Sequence, residues 1–210
     1  MSLGLFCISF AGVSATSLHA AALMVDFGTG GSPVETGYSQ QSTNSVTHST
    51  VLGNIDLVVT SAQGVFDRGA SGGVNNDLYR DFYFTNNAAD IVLTLSGAGI
   101  AANTDYILTF YSYDSNESRV TEFTAISGTI GPSLTPKVND GVGGDVPDTL
   151  DEFASTGTYT SNGSGQLVIQ LVGGRTVVNG LELDVVPEPS SVLLVGLSSL
   201  FLIRRARATS

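Results

Sequence analysis

Three groups of residues in this chain have types and spacings that could do chemistry. Gly69-Ala70-Ser71-Gly72-Gly73 fits G-x-S-x-G, the pattern that raises a nucleophilic serine on a turn between a strand and a helix. The residues that follow, VNNDLYRDF, read as a turn and then a strand. The helix is missing, so a flexible glycine-rich loop is the expected structure, and His48 is the one histidine beyond residue 22 that could serve as a base. The second group is VNDGVGGDVPDTLDE, Val138 to Glu152, with Asp140, Asp145, Asp148, Asp151 and Glu152 set among glycines. Calcium takes several hard oxygens from a flexible loop, which makes Asp140, Asp145 and Asp148 the candidate ligands of a structural calcium. The spacing fits neither an EF-hand loop nor a nonapeptide repeat, and a solvated acidic loop is the weightier alternative. No other cofactor is expected.

The third group is aromatic. A sandwich that binds sugar usually stacks an exposed ring on the apolar face of a pyranose, with Asp, Asn or Arg taking the hydroxyls. Tyr79, Tyr83, Tyr111 and Tyr113 are the candidate rings, and Arg80 and Asp81 stand beside them. Their alternation partners Phe82, Phe84 and Phe110 read as the core face. The alternative is that the tyrosines cover sheet edges, and the absence of Trp favours it. A glycosidase pair of carboxylates is defined by a separation in space, which spacing along the chain does not supply, and a non-catalytic protein is expected.

The elements that must hold these groups read as strands. Period-two alternation marks LMVDFG (Leu23–Gly28), NIDLVVTS (Asn54–Ser61), YRDFYFT (Tyr79–Thr85), DIVLTLSG (Asp90–Gly97), TDYILTFYSYD (Thr104–Asp114) and RVTEFTAISG (Arg119–Gly128). FASTGTYTS (Phe153–Ser161), GQLVIQLVG (Gly165–Gly173) and VVNGLELDVV (Val177–Val186) complete the set. Gly, Asn, Asp or Ser clusters separate nearly every pair, and no window has a helical face. Roughly eight or nine strands of this kind predict an all-β fold, a single β-sandwich.

Charge narrows the partners. All 19 acids lie between Asp26 and Glu188, where only Arg68, Arg80, Arg119, Lys137 and Arg175 oppose them. So acidic a body repels phosphate backbones, and nucleic acid is excluded as a partner. The single cysteine, Cys7, falls in the N-terminal apolar stretch, so a body without that stretch has no disulfide and no thiolate metal site.

Both ends read as addresses. Met1 to Ala22 has an apolar core from about Leu3 to Val13, then small residues ending in Ala20-Ala21-Ala22. That is the A-x-A pattern of a secretory signal, with cleavage expected after Ala22 and Ala20 as the alternative. No Lys or Arg stands near Met1, which leaves open a start upstream. At the other end, Val192 to Ile203 is a twelve-residue apolar run. As a helix it covers about 18 Å, short of a full hydrocarbon core. Pro187 and Pro189 precede it, and Arg204, Arg205 and Arg207 follow, a cluster that stays on the cytoplasmic side. An ordinary tail anchor is the alternative.

Two resemblances attach to these residues. VPEPSS, a short apolar helix and terminal arginines, with Pro187, Glu188, Pro189, Arg204 and Arg205 as the motif, resemble the PEP-CTERM sorting signal of bacteria that make exopolysaccharide. The resemblance implies transient anchoring in the inner membrane, removal of the segment by the membrane protease exosortase, and a final place at the cell surface or outside the cell. VDFG, GAGIAANTDYILTFYSYD and VNGLELD look like a galactose-binding-like jelly roll of the malectin or carbohydrate-binding-module kind. That implies first and last strands side by side, with Asp26 and Glu182 on neighbouring strands. The expected organisation is a signal peptide over 1–22, a jelly-roll-like sandwich over 23–185 and a sorting and anchor segment, with its short transmembrane helix, over 186–210. The expected function is a non-catalytic matrix or surface protein, in its sharper form a binder of extracellular polysaccharide in a biofilm. A glycan hydrolase or lyase and a self-associating structural adhesin are the alternatives.

Overall fold

The alternation in Ile91–Ser96 buries every second residue, and the same rhythm recurs along the chain because each sheet has one face on a common apolar layer. The structure is a computed structural model and describes residues 21–69, 73, 76–86, 90–136, 146–149 and 152–186. The described residues form twelve strands: β1 (Leu23–Phe27), β2 (Ser39–Gln41), β3 (Ser45–Thr50), β4 (Gly53–Thr60), β5 (Gly64–Asp67), β6 (Asp81–Thr85), β7 (Ile91–Ser96), β8 (Asp105–Tyr111), β9 (Val120–Ala125), β10 (Ala154–Thr160), β11 (Leu167–Val178) and β12 (Gly180–Val185). No helix occurs among the described residues, so the fold is all-β.

One sheet runs β10-β8-β12-β1-β2, and the other β3-β4-β7-β11-β6-β5 with β9 also paired to β11. The first and last strands lie side by side: β1 and β12 are antiparallel, with Met24 opposite Glu182 and Asp26 opposite Gly180. A single cluster of buried side chains draws on both sheets, including Val25, Leu108 and Leu181 from one and Leu57, Leu93 and Ile169 from the other. Phe110 of β8 and Phe123 of β9 stack across the layer with centroids 4.4 Å apart. This is the arrangement of a β-sandwich.

β11 does the work of two strands. Its first half pairs with β7 and β9, and Thr176–Val178 pairs with β6. The change of partner falls at a bulge between Val172 and Arg175, where Gly173 and Gly174 have φ of 153° and 75°. A Cβ on Gly173 would collide with the Val120 carbonyl, so the bend needs glycine there.

Three strands, β2, β3 and β5, lie outside the alternating windows, and GQLVIQLVG continues through the glycine pair into Val178 rather than ending at Gly173. Asn103 takes φ 52° at the turn into β8. From there Tyr106, Leu108 and Phe110 form an inward row.

Phe110 tests the core. Replacing it with Ala removes a buried ring that also stacks on Phe123 and should cost about 3–5 kcal/mol in urea unfolding. Val51→Ala, at a side chain 91% exposed, should change stability by less than about 0.5 kcal/mol.

Candidate functional site

The aromatic strand β6 has two aromatic faces, and the structure assigns them opposite to expectation. Tyr83 points into the main core, with its ring 5.3 Å from Phe27. Burial without a hydrogen-bond partner pushes its hydroxyl up to about 12. Tyr79, Tyr111 and Tyr113 form a second cluster with Leu78 and Phe153 against the outer side of the first sheet. Tyr79 sits 5.9 Å from Tyr111 and 5.6 Å from Tyr113, and Glu182 Oε1 accepts from the hydroxyls of Tyr111 and Tyr38. All four candidate tyrosines are 0 or 1% exposed. None offers a free face to a sugar, and the stacking role read for Tyr79, Tyr83, Tyr111 and Tyr113 is corrected. The physical reason is that the segment around Tyr79 and Phe153 folds over the first sheet and makes a second apolar layer there. Arg80 is engaged by Asp67, to which it donates at 2.8, 3.0 and 3.2 Å; the guanidinium holds the Asp67 carboxyl below its ordinary range.

The opposite face of β6 carries Phe82 and Phe84, and with Phe66 of β5 they open a groove. Phe66 lies directly across from Phe82 in the β5–β6 pair, with rings 6.1 Å apart and 20° from parallel. Phe84 meets both edge-on at 6.2 and 6.3 Å. Phe82 is sealed, but Phe66 is 42% exposed. The groove encloses about 190 Å³ and is lined by these three rings and by Arg68, Asn86, Glu117 and Arg119. The Arg68 guanidinium stands 4.6 Å over the Phe66 ring and the Arg119 guanidinium 5.9 Å over Phe82, positions in which the ring quadrupole attracts a cation.

One carboxylate orders the polar side. Asp114 is fully buried. It accepts from Arg68 Nε and Nη2 at 3.1 and 3.2 Å and from Arg119 Nε at 2.6 Å. Arg119 also donates to Asn86 Oδ1 and to Glu117 Oε2, each at 3.0 Å. Arg175 reaches Glu117 at 2.7 Å. Three of the arginines of an acidic body thus converge on one loop, 112–119, which β8 and β9 hold at either end. They meet two carboxylates, so the groove is a nearly balanced polar wall beside an apolar floor. Such a surface suits a neutral ligand with one apolar face and several hydroxyls.

The other candidates are placed less fully. Asp148 is exposed, and its backbone N–H donates to Glu152 Oε2 at 2.7 Å. Asp140 and Asp145 lie outside the described residues, as do Ser71 and the sorting residues Pro187, Glu188, Pro189, Arg204 and Arg205. Among the described residues no three His, Cys, Asp or Glu side chains are grouped to hold a metal, and no helix is long and apolar enough to cross a membrane. His48 is buried and its ring Nε2 meets Gln41 Oε1 at 3.2 Å; burial pulls its pKa down. The groove residues Phe66, Asn86 and Glu117 had no signal of their own in the chain, since their loops come together only in the fold.

Removing the Asp114 carboxylate leaves the buried Arg119 without its closest partner. Asp114→Ala should therefore cost about 3–5 kcal/mol in chemical unfolding. Arg175→Ala, at a side chain 54% exposed, should cost less than about 1 kcal/mol. Compared with protein-family models and with curated proteins, the chain matches none.

Proposed function

We propose that the chain is an exported, non-catalytic surface or matrix protein whose sandwich binds neutral polysaccharide at the Phe66 groove. The observation that carries the binding reading is the open Phe66 ring, framed by Arg68, Asn86, Glu117 and Arg119. A pyranose laid on the part of that ring not covered by the Arg68 guanidinium would bury its C–H face, while the planar polar groups around it take hydroxyls. The paired carboxylates support a neutral ligand, because each guanidinium that lines the groove already has an anion. They also support a non-catalytic role, since Asp114 and Glu117 are committed to arginines. The antiparallel pairing of β1 with β12 supports the galactose-binding-like jelly-roll reading.

Export rests on the ends of the sequence. An N-terminal signal peptide, residues 1–22, and a PEP-CTERM-like tail, residues 186–210, would carry the protein through the inner membrane, hold it there on a short helix, and submit it to exosortase. The acidic, thiol-free body between them suits an extracellular matrix.

Retention on the producer's own exopolysaccharide, measured for the purified body with and without calcium, tests the binding. Stacking on one ring contributes about 1 kcal/mol, so affinity should be high micromolar at best and Phe66→Ala should weaken it about fivefold. No retention in either condition overturns the binding reading and favours a self-associating adhesin. Processing has its own test. Intact mass of the native extracellular protein should correspond to a chain from Leu23 to near Pro187, and a mass matching all 210 residues would overturn it.

A further inference from the structure

At the seam between the two sheets, two buried carboxylates carry three oxygens with no hydrogen-bond partner. Asp81 opens β6 in one sheet and is 0% exposed, and neither of its side-chain oxygens has a hydrogen bond. The nearest cation, Arg80 Nε, stands 3.6 Å from Oδ1 and is committed to Asp67. Asp26 lies on β1 in the other sheet and is 1% exposed. Its Oδ2 accepts the Glu35 N–H at 2.8 Å, and its Oδ1 has no partner. An unpaired buried carboxylate costs several kcal/mol, and the surroundings add charge of the same sign. Asp67 is directly opposite Asp81 in the β5–β6 pair, and Glu35 and Asp77 act on Asp26.

A cradle lies beside them. The point where a Cβ would stand on Gly28 is 2.8 Å from Asp81 Oδ2 and 2.8 Å from Ser32 Oγ. Gly28 follows β1 directly, and its missing side chain lets these oxygens close in. The Gln40 amide donates to the carbonyls of Thr29 and Ser32 at 2.7 and 3.2 Å, which fixes the turn that carries Ser32. Asp26 and Asp81 therefore face the same loop, 28–35, from different sheets.

We propose that Asp26 and Asp81 bind a hard divalent cation of the calcium type, which ties β1, β6 and the 28–35 loop together across the seam. Asp26 Oδ1 and the two Asp81 oxygens are the charged donors, and Ser32 Oγ is a neutral one. No sulfur or imidazole stands in the set, which selects calcium or magnesium over zinc. With two carboxylates rather than three or four, neutral oxygens and water complete the shell, and the affinity belongs to the range of about 0.1–1 mM typical of extracellular modules. This site is separate from the acidic loop of Asp140, Asp145 and Asp148 and does not depend on glycan binding.

The test is calorimetric titration of the chelator-treated protein with calcium and with magnesium, together with thermal melting. Calcium should bind with a sub-millimolar to millimolar Kd and raise the melting temperature by several degrees. Asp26→Asn and Asp81→Asn, which keep side-chain shape, should each lower the affinity at least about tenfold, whereas Asp148→Asn should leave it unchanged. Protons are the competing occupants. Burial, with neighbouring carboxylates adding to it, raises Asp26 to about 7 and Asp81 to about 6 from 3.8. Between the unfolded value of 3.8 and these folded values the cation-free native state binds more protons than the unfolded chain, so its stability should fall as pH rises from 3.8 to about 7 and level off above that. Calcium should flatten that fall. Absence of binding heat and of a melting shift with either ion overturns the proposal and leaves a proton-sharing pair. A calcium shift that survives both Asn variants overturns it as well.

Discussion

Asp114 is fully buried, and both of its oxygens accept guanidinium N–H groups, two from Arg68 and one from Arg119. The groove depends on that triad. Arg68 follows β5, Arg119 precedes β9, and Asp114 sits in the loop after β8, so the carboxylate holds together pieces of chain 46 and 5 residues away. With the arginines fixed, their planar faces can lie over Phe66 and Phe82. A buried ion pair of this kind adds little net stability over an apolar replacement. What it adds here is position: it turns a loop of mixed polarity into one wall of a shaped site.

The acidic excess makes the placement of the cations informative. A body with so few basic residues uses Arg68, Arg119 and Arg175 around one loop and Arg80 on the neighbouring Asp67. None of these guanidiniums bonds to Asp26 or Asp81 at hydrogen-bond distance. The contrast is physical: Asp114 is buried with guanidiniums at hydrogen-bond distance, whereas of the seam carboxylates only Asp81 has a cation near it, Arg80 at 3.6 Å, and Arg80 hydrogen-bonds to Asp67 instead. The first needs only the chain. The second needs a proton or a cation from outside, which ties the joint between the sheets to the solution around it.

Much of the architecture was legible because burial imposes a period. Residues such as Ile55, Leu57 and Val59, or Ile91, Leu93 and Leu95, alternate with half-exposed neighbours, and this rhythm identified the long strands and the all-β class. The strands without a signal were β2, β3 and β5. All three lie at sheet edges, where a strand has one neighbour and buries little, so its residues need not alternate. The bend at Gly173 was not legible, because a glycine pair reads equally as the end of a strand, and only the close approach of the Val120 carbonyl shows that the strand continues through it.

Which aromatic face meets the core was a different kind of question. In YRDFYFT both faces carry rings, so alternation alone treats them as equivalent. The chain's own sequence determined that the body is built of strands, and it is the only basis for the export and sorting reading of the two ends and for the expectation that so acidic a body repels nucleic acid. The tertiary structure decided that Tyr83 faces Phe27 in the core while Phe66 stays open, because the core covers one face of β6 and the Asp114–Arg68–Arg119 loop stands on the other. Contacts between residues dozens of positions apart set that choice, and no local pattern of residues encodes them.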